Sequence, residues 1–530
     1  MNILTLHRYC IGAFGALALS AQAAEAPCSA LASIVLPATQ ITSAALVPAG
    51  SFVPAAAPAP ANPTPQAVRQ AQERAELFRS LPPFCRVTAR VTTSASSSIN
   101  IEVWLPQANW NGKFLVNGYA FYGNKLNPVP LATALRQGYA TATTDNGLPE
   151  SSTIFDGSFL RGQPERVTDW GERAWHETVV KSKSLMTAYY GRPATHSYFN
   201  GAGGAGRQGL KAVQRYPEDF DGVVVGGVAA DSSHFALANL WAWLAVQRLA
   251  GGEFPETKLP LLHRAAVSTC DANDGVSDGL ISDPEHCRFD PASVQCKAGD
   301  GADCLTAGQV AAARQIYAAP THVRTGRRLF GPLLPGSELG WTGVVGKQPN
   351  GYAVEFFRSI AFQDPDWDPR SLNFDTDVEK AEAVPAAVNA VDPDLSRYFV
   401  RGGKLLMYGG WGDTAINPGA ETDYYRSVVG RLGEGAANKS LRLYMLPMMR
   451  HFLGGTADYA YQLNTQDLME AWVERGTVPQ SLTASLRVSQ GSPEQREVLL
   501  CPYPRIAFYK GKAGANPLLK PGEFECRASR

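Results

Sequence analysis

Tyr198-Phe199-Asn200-Gly201-Ala202-Gly203-Gly204-Ala205-Gly206-Arg207-Gln208-Gly209-Leu210 is the stretch on which the fold turns. Ser197 to Asn200 reads as a short strand, and Arg207 to Arg215 has helical spacing. The six residues between them, four of them glycine, leave room only for a tight turn. Strand, tight turn and helix make up the unit that presents a nucleophile at the centre of G-x-S-x-G. Gly203 stands at that centre here, and no Ser, Cys, Thr or Asp lies between Gly201 and Gly206.

Outward from this unit the chain keeps alternating strand and helix. Ile99, Ile101, Val103 and Leu105 alternate with other residues up to Pro106, as in a half-buried strand. Lys113 to Val116 and Tyr139 to Thr144 are further strands, ended by Asn117-Gly118 and Asp145-Asn146-Gly147. Trp170 to Tyr190 is helical and stops at Gly191-Arg192-Pro193. Val223-Val224-Val225 runs into Gly226-Gly227 as a buried strand. The alternation predicts an α/β fold with a parallel sheet and helices on both faces. It fades over 229–398, a Trp-, Cys- and Asp-rich stretch, and resumes with Lys404 to Tyr408, Thr422 to Leu432, Leu441 to Leu446 and Asp467 to Arg475.

The late strands lead to two suggestive residues. Lys404 to Tyr408 passes through Gly409-Gly410-Trp411-Gly412 into Asp413, and Leu441 to Leu446 passes through Pro447-Met448-Met449-Arg450 into His451. An acid and then a histidine on successive strand ends, after the nucleophile unit, is the triad order of an α/β hydrolase. The acid would fix the imidazole tautomer, and the histidine would take the nucleophile's proton.

The chain of 530 residues is neutral, with 48 Lys plus Arg against 48 Asp plus Glu, which argues against a nucleic-acid partner. Hydrophobic residues at 45% and charged residues at 18% are those of a globular protein, and no later apolar run is long enough for a membrane span. Met1 to Ala23 reads as a secretory signal: His7 and Arg8, the apolar run Cys10 to Leu19, then Ala21-Gln22-Ala23. A buried N-terminal helix is the competing reading. The mature chain, secreted or periplasmic, would keep Cys28, Cys85, Cys270, Cys287, Cys296, Cys304, Cys501 and Cys526. An exported chain with an even number of cysteines suits disulfides, although eight allow about a hundred pairings. Closeness favours Cys270–Cys287, Cys296–Cys304 and Cys501–Cys526, which would leave Cys28–Cys85 to pin an Ala- and Pro-rich arm over Leu36 to Pro65. Zinc is disfavoured by the lack of a C-x-x-C pair. The organisation expected is a signal over 1–23, a first α/β part over 24–228 with its arm over 24–85, a lid over 229–398, and a second α/β part over 399–530.

Gly206-Arg207-Gln208-Gly209, Gln214-Arg215-Tyr216-Pro217-Glu218-Asp219-Phe220-Asp221-Gly222, Trp104-Leu105-Pro106, Trp110-Asn111-Gly112-Lys113-Phe114 and Leu500-Cys501-Pro502-Tyr503-Pro504 are specific motifs. In them the chain resembles the tannase and feruloyl esterase family over nearly its whole mature length. The resemblance implies an α/β-hydrolase fold with an inserted calcium-binding lid. It also implies hydrolysis of esters of galloyl- or hydroxycinnamoyl-type acids through an acyl-enzyme. Asp413 matches the triad acid, His451 the base and Gly203 the nucleophile position; Tyr119 and Gly204 would offer oxyanion amides. The family's nucleophile follows a cysteine that is bonded to another directly after the histidine. Those positions are Ala202 and Phe452 here, and an apolar pair of this kind would refill the space.

Asp271-Ala272-Asn273-Asp274-Gly275-Val276-Ser277-Asp278-Gly279-Leu280 gathers three carboxylates in eight residues. Calcium takes about six to eight oxygens from such flexible loops. Ser282 where an EF-hand needs Glu excludes that motif, and a solvated acidic turn is the plain alternative. By the resemblance, Asp271, Asp274 and Asp278 would bind calcium through side chains, and Val276 and Leu280 through carbonyls. Trp241, Trp243 and Trp341 could wall the cleft but suit a core better, as do Met448 and Met449.

Three readings stay open on the sequence. The chain is an esterase with weak or lost activity, or a non-catalytic protein that binds a small aromatic ester or acid, or His451 activates water itself. Its oligomeric state is not legible.

Overall fold

A computed structural model describes residues 26–55, 63–118, 122, 126–454, 458–489, 494–511 and 520–529. The proposed signal over 1–23, with Cys10, lies outside the described residues. A nine-stranded sheet forms the centre, from β1 (Thr39–Val47), β2 (Phe84–Val91), β3 (Ile99–Pro106), β4 (Lys113–Asn117), β5 (Ala140–Thr144), β6 (His196–Ala202), β7 (Gly222–Gly226), β8 (Lys404–Gly410) and β9 (Leu441–Leu446). Their order is β1-β2-β3-β5-β4-β6-β7-β8-β9.

The sheet is mixed, not parallel throughout as expected. Pairs from β1 to β5 are antiparallel, and pairs from β5 through β4 to β9 are parallel. The short link from Val91 to Ile99 admits a hairpin, whereas parallel neighbours need a crossover of about a dozen residues. The arm also differs from expectation. Thr39–Val47 pairs with β2 as an edge strand, because its backbone groups find partners there even though its side chains stay half-buried or exposed.

The buried parallel strands are apolar on both faces because helices cover both. Phe199, Val223 and Val225 pack with Leu210, Val213 and Trp175 on one side. Tyr198, Val224 and Leu406 pack with Met469 and Trp472 on the other. Each such side chain taken fully out of water contributes about 1.5–3 kcal/mol. The helices bear out the predicted elements: Ala174–Tyr190 ends at Gly191 in the left-handed region, and Gly204–Arg215 follows the elbow.

Between β7 and β8 the chain supplies no strand to the sheet and forms helices, among them Ser232–Arg248, Leu259–Cys270 and Ala307–Tyr317. Arg207 of the Gly206-Arg207-Gln208-Gly209 motif ties this segment down. Its guanidinium is buried, lies 4.3 Å from the Trp170 ring centre, and donates to the carbonyls of Gly171, Ala387 and Val388. Trp243 and Trp341 are buried in the segment's own clusters, and Trp241 packs beside them and donates to Gln315 O at 3.1 Å. Trp243 and Trp341 are thus core residues, and Trp241 lines a small pocket with Phe330 and Asn417.

Four disulfides join Cys28 to Cys85, Cys270 to Cys287, Cys296 to Cys304, and Cys501 to Cys526, the pairing that closeness favours. Cys85 lies on β2, so the first bond fastens the N-terminal segment to the sheet. Among the described residues no helix is long and apolar enough to cross a membrane.

Candidate active site

β6, β7, β8 and β9 are neighbours, and three of them send site residues from their C-terminal ends: Gly203 after β6, Asp413 after β8 and His451 after β9. That edge is where parallel α/β sheets build their sites. Glycine is required where the loops meet. A Cβ on Gly412 would run into the Met448 carbonyl, and the Gly412 amide donates to Met449 O at 2.9 Å. The loops carrying acid and histidine are thereby held in direct backbone contact.

His451 Nδ1 lies 2.8 Å from Asp413 Oδ2. The other carboxylate oxygen of Asp413 accepts the amides of Ala415 at 2.8 Å and Ile416 at 2.9 Å, and the residue is buried. With Nδ1–H donating to the acid, Nε2 is the ring's acceptor. Nε2 is buried and has no hydrogen-bond partner among the described residues. Gly203 has φ 62° and ψ −126°, a left-handed conformation that glycine takes at no steric cost. A Cβ built there would lie 3.1 Å from His451 Nε2 and 3.6 Å from Cε1, with no other neighbour within 4 Å among the described residues beyond the adjoining ones of the elbow. The structure thus brings the three predicted positions together in the geometry of a nucleophile, base and acid. The first of them lacks a side chain.

Gly204 opens a twelve-residue helix, so its amide belongs to the first turn, where N–H groups have no intrahelical partner. Tyr119 lies outside the described residues. Ala202, half-buried, ends β6 in register with Gly226. Phe452 corrects an expectation: it does not refill a buried space. It stands 51% exposed, its ring centre 3.9 Å from that of His451. A phenyl ring is far larger than half a disulfide, and here it rests on the imidazole at the surface.

Glu421 was not anticipated. It is buried in the first turn of the helix Gly419–Leu432, and it accepts the amide of Val228 at 2.6 Å. Burial, with the nearby Asp413 charge adding to it, holds its carboxyl well above the usual range. Burial thus favours the protonated form of Glu421. An acid in the first turn of a helix reads as ordinary dipole compensation, so the sequence carries no signal for it.

In the acidic loop, Asp271 accepts the amides of Asp278, Gly279 and Leu280. Asp274 is buried and accepts Val276 N at 3.3 Å; burial foremost, then the charges of Asp278 and Asp271, push its carboxyl up to about 7. Burial likewise raises Asp278, which Arg496 approaches at 3.7 Å. The donor set suits a divalent cation: three carboxylates close in sequence, two of them largely withdrawn from water. As they stand, no three acidic, His or Cys side chains among the described residues converge as metal ligands. The loop also buttresses the histidine loop, since Ile281 N donates to Met448 Sδ at 3.2 Å. Met448 and Met449 are buried, as packing residues should be.

Comparison with known proteins bears on the same residues. The model of the family described as tannase and feruloyl esterase matches residues 85–518. An uncharacterised esterase of Xanthomonas campestris pv. campestris is 35% identical, over 96% of this chain and 92% of its own length. A probable feruloyl esterase B-1 of Aspergillus terreus is 31% identical, over 81% of this chain and 83% of its own. The crystal structure of feruloyl esterase B from Aspergillus oryzae superposes with a TM-score of 0.79 at 28% identity, covering 94% of this chain and 100% of that one.

Proposed function

The chain belongs to the tannase and feruloyl esterase family, a family of ester hydrolases, and from that premise we propose an exported protein that takes a small ester of an aromatic acid beside His451. Asp413 orients the imidazole, His451 is the base, and the Gly204 amide, in the open first turn of its helix, faces the ester carbonyl. The substrate class is galloyl or hydroxycinnamoyl, in keeping with the names of the relatives. Gly203 occupies the nucleophile position, so acyl-enzyme catalysis is lost and turnover is weak or absent. One observation carries this reading. The backbone at Gly203 holds an elbow conformation that would aim a side chain at His451 Nε2, 3.1 Å from the Cβ position, and there is no side chain to aim. Covalent catalysis requires an activated nucleophile.

The helical segment between β7 and β8 acts as a lid in this reading, and calcium at Asp271, Asp274, Asp278 and the carbonyls of Val276 and Leu280 fixes its base. Bound calcium would supply charge neutralisation for the buried carboxylates. The contact from Ile281 to Met448 would pass that order to the loop of His451. The four disulfides support export.

Binding without catalysis is the second reading. The half-exposed Phe452 favours it, since its ring offers an apolar face beside the imidazole. Titration calorimetry with ferulic acid and methyl gallate, beside labelling with a serine-directed fluorophosphonate, tests the proposal. Binding without labelling is expected. Labelling of the unaltered chain would overturn the loss of the nucleophile. Failure of all hydroxycinnamate and gallate probes to bind would overturn the ligand class.

A further inference from the structure

We propose that this protein hydrolyses its ester by direct delivery of water from the His451–Asp413 dyad, with no acyl-enzyme. The inference rests on the reading that the cleft beside His451 takes the aromatic ester, and it goes beyond it by assigning an activity to a site without a nucleophile. Three features of the site carry it.

The dyad is oriented for work. Asp413 holds Nδ1 at 2.8 Å and is itself held by two amides, so the tautomer that leaves Nε2 free to accept is fixed. Secondly, Nε2 is a buried acceptor on the ring edge away from Asp413, with no hydrogen-bond partner among the described residues to compete for it. Thirdly, the place a nucleophile's side chain would take faces the imidazole: beyond the adjoining residues of the elbow, the Cβ position at Gly203 meets only Nε2 and Cε1 within 4 Å among the described residues. A water oxygen there would sit within the roughly 2.6–3.2 Å that proton abstraction needs.

The step balances without a further reactant. Water oxygen forms a bond to the ester carbonyl carbon while His451 Nε2 takes one of its protons. The tetrahedral oxyanion faces the Gly204 amide at the start of the helix. The imidazolium then returns the proton to the leaving oxygen as the carbon–oxygen bond to the alcohol breaks. One water is consumed, acid and alcohol are released, and nothing is oxidised or reduced. General base catalysis of this kind is worth about 10²–10⁴-fold, far less than a full triad.

The test uses the full mature chain with methyl ferulate and 4-nitrophenyl ferulate. We expect steady hydrolysis above the buffer rate from the first turnover, no acylated species in the intact mass of quenched samples, and no inhibition by fluorophosphonate. His451→Ala, prepared identically, should fall by about 10²-fold or to the buffer rate. Gly203→Ala, which puts a methyl group in the water's place, should also lose most of the rate. A wild-type rate equal to buffer while ferulate still binds would overturn the water mechanism and leave the proposed ligand standing. An unchanged rate in His451→Ala would overturn the mechanism as well. An acyl-enzyme burst would overturn the mechanism together with the loss of the nucleophile. Neither binding nor turnover with any hydroxycinnamate or gallate would defeat the ligand reading itself. The wild-type measurements decide the matter even if a variant fails to fold.

Discussion

Gly203→Ser puts the missing group into a site that otherwise has the geometry to use it. The new Cβ would lie 3.1 Å from His451 Nε2, closer than an ordinary contact of about 3.5–4.0 Å, so the ring must give by a few tenths of an ångström. Oγ, one bond further out, then reaches hydrogen-bond distance of Nε2. Serine at φ 62° and ψ −126° is strained, at about 1–3 kcal/mol. For a mature chain of roughly five hundred residues the unfolding entropy is about 1 kcal/mol/K, so Tm should fall by about 1–3 °C. In a triad enzyme the serine is worth about 10⁶ in kcat. Ala202 and Phe452 cannot form the bridge expected between the two loops, so only part of that should return. A gain of at least about a hundredfold over wild type, about 2.7 kcal/mol in the barrier, is the expectation. Stopped-flow release of 4-nitrophenol should show a burst equal to the enzyme concentration, and fluorophosphonate should label position 203. A folded Gly203→Ser protein that shows neither burst nor label would refute the reading of Asp413 and His451 as a working acid and base. Adding Ala202→Cys and Phe452→Cys should raise the rate further once the bridge forms.

Excess chelator should lower the melting temperature, because calcium at 100 times its Kd stabilises the native state by about 2.7 kcal/mol; an unchanged melt would sink the calcium assignment. Alkylation of the unfolded, unreduced secreted chain should find no thiol. A single reactive cysteine at Cys10 would mean the signal is retained, and any other would break the bridge set. Asp145 is buried, and burial pushes its carboxyl up to about 6 despite bonds from Asn100 and Gly147. Its folded pKa exceeds the unfolded value, so the folded state binds more proton between about pH 4 and 6 and stability falls as pH rises through that range. Urea titrations should find wild type losing up to about 3 kcal/mol relative to Asp145→Asn between pH 4 and 7, and a difference independent of pH would contradict this.

What the sequence disclosed followed from how locally each feature is written. Val223 to Val225 and the strand before Asp413 are apolar runs bounded by glycine, the strand before His451 is a largely apolar run stopped by Pro447, and burial between two layers of helix leaves such runs little choice. Acid and histidine could be placed because a parallel sheet delivers the ends of neighbouring strands to one edge. Each bond joins two cysteines that follow one another along the mature chain, the pair that fastens the arm included. Features set by tertiary pairing were not legible. β1 is an edge strand whose Ala- and Ser-rich side chains carry no clear period, and only its ladder to β2 defines it. The small sheet of Ala460–Gln462, Leu482–Arg487 and Arg496–Leu500 is likewise specified by its partners. Glu421 looks like any helix-opening acid until the fold buries it, which pushes its carboxyl well above the usual range. Phe452 shows the same limit from the other side: the sequence gives the loss of a bridge, but not that the ring turns outward onto the imidazole. The same division governs the active site. A glycine at the elbow is visible as a loss in the sequence alone. That the base remains gripped by its acid, half-buried, and aimed at the position the nucleophile would hold is a property of three strand ends at once. Only that property separates a site able to move a proton from one that has merely lost its serine.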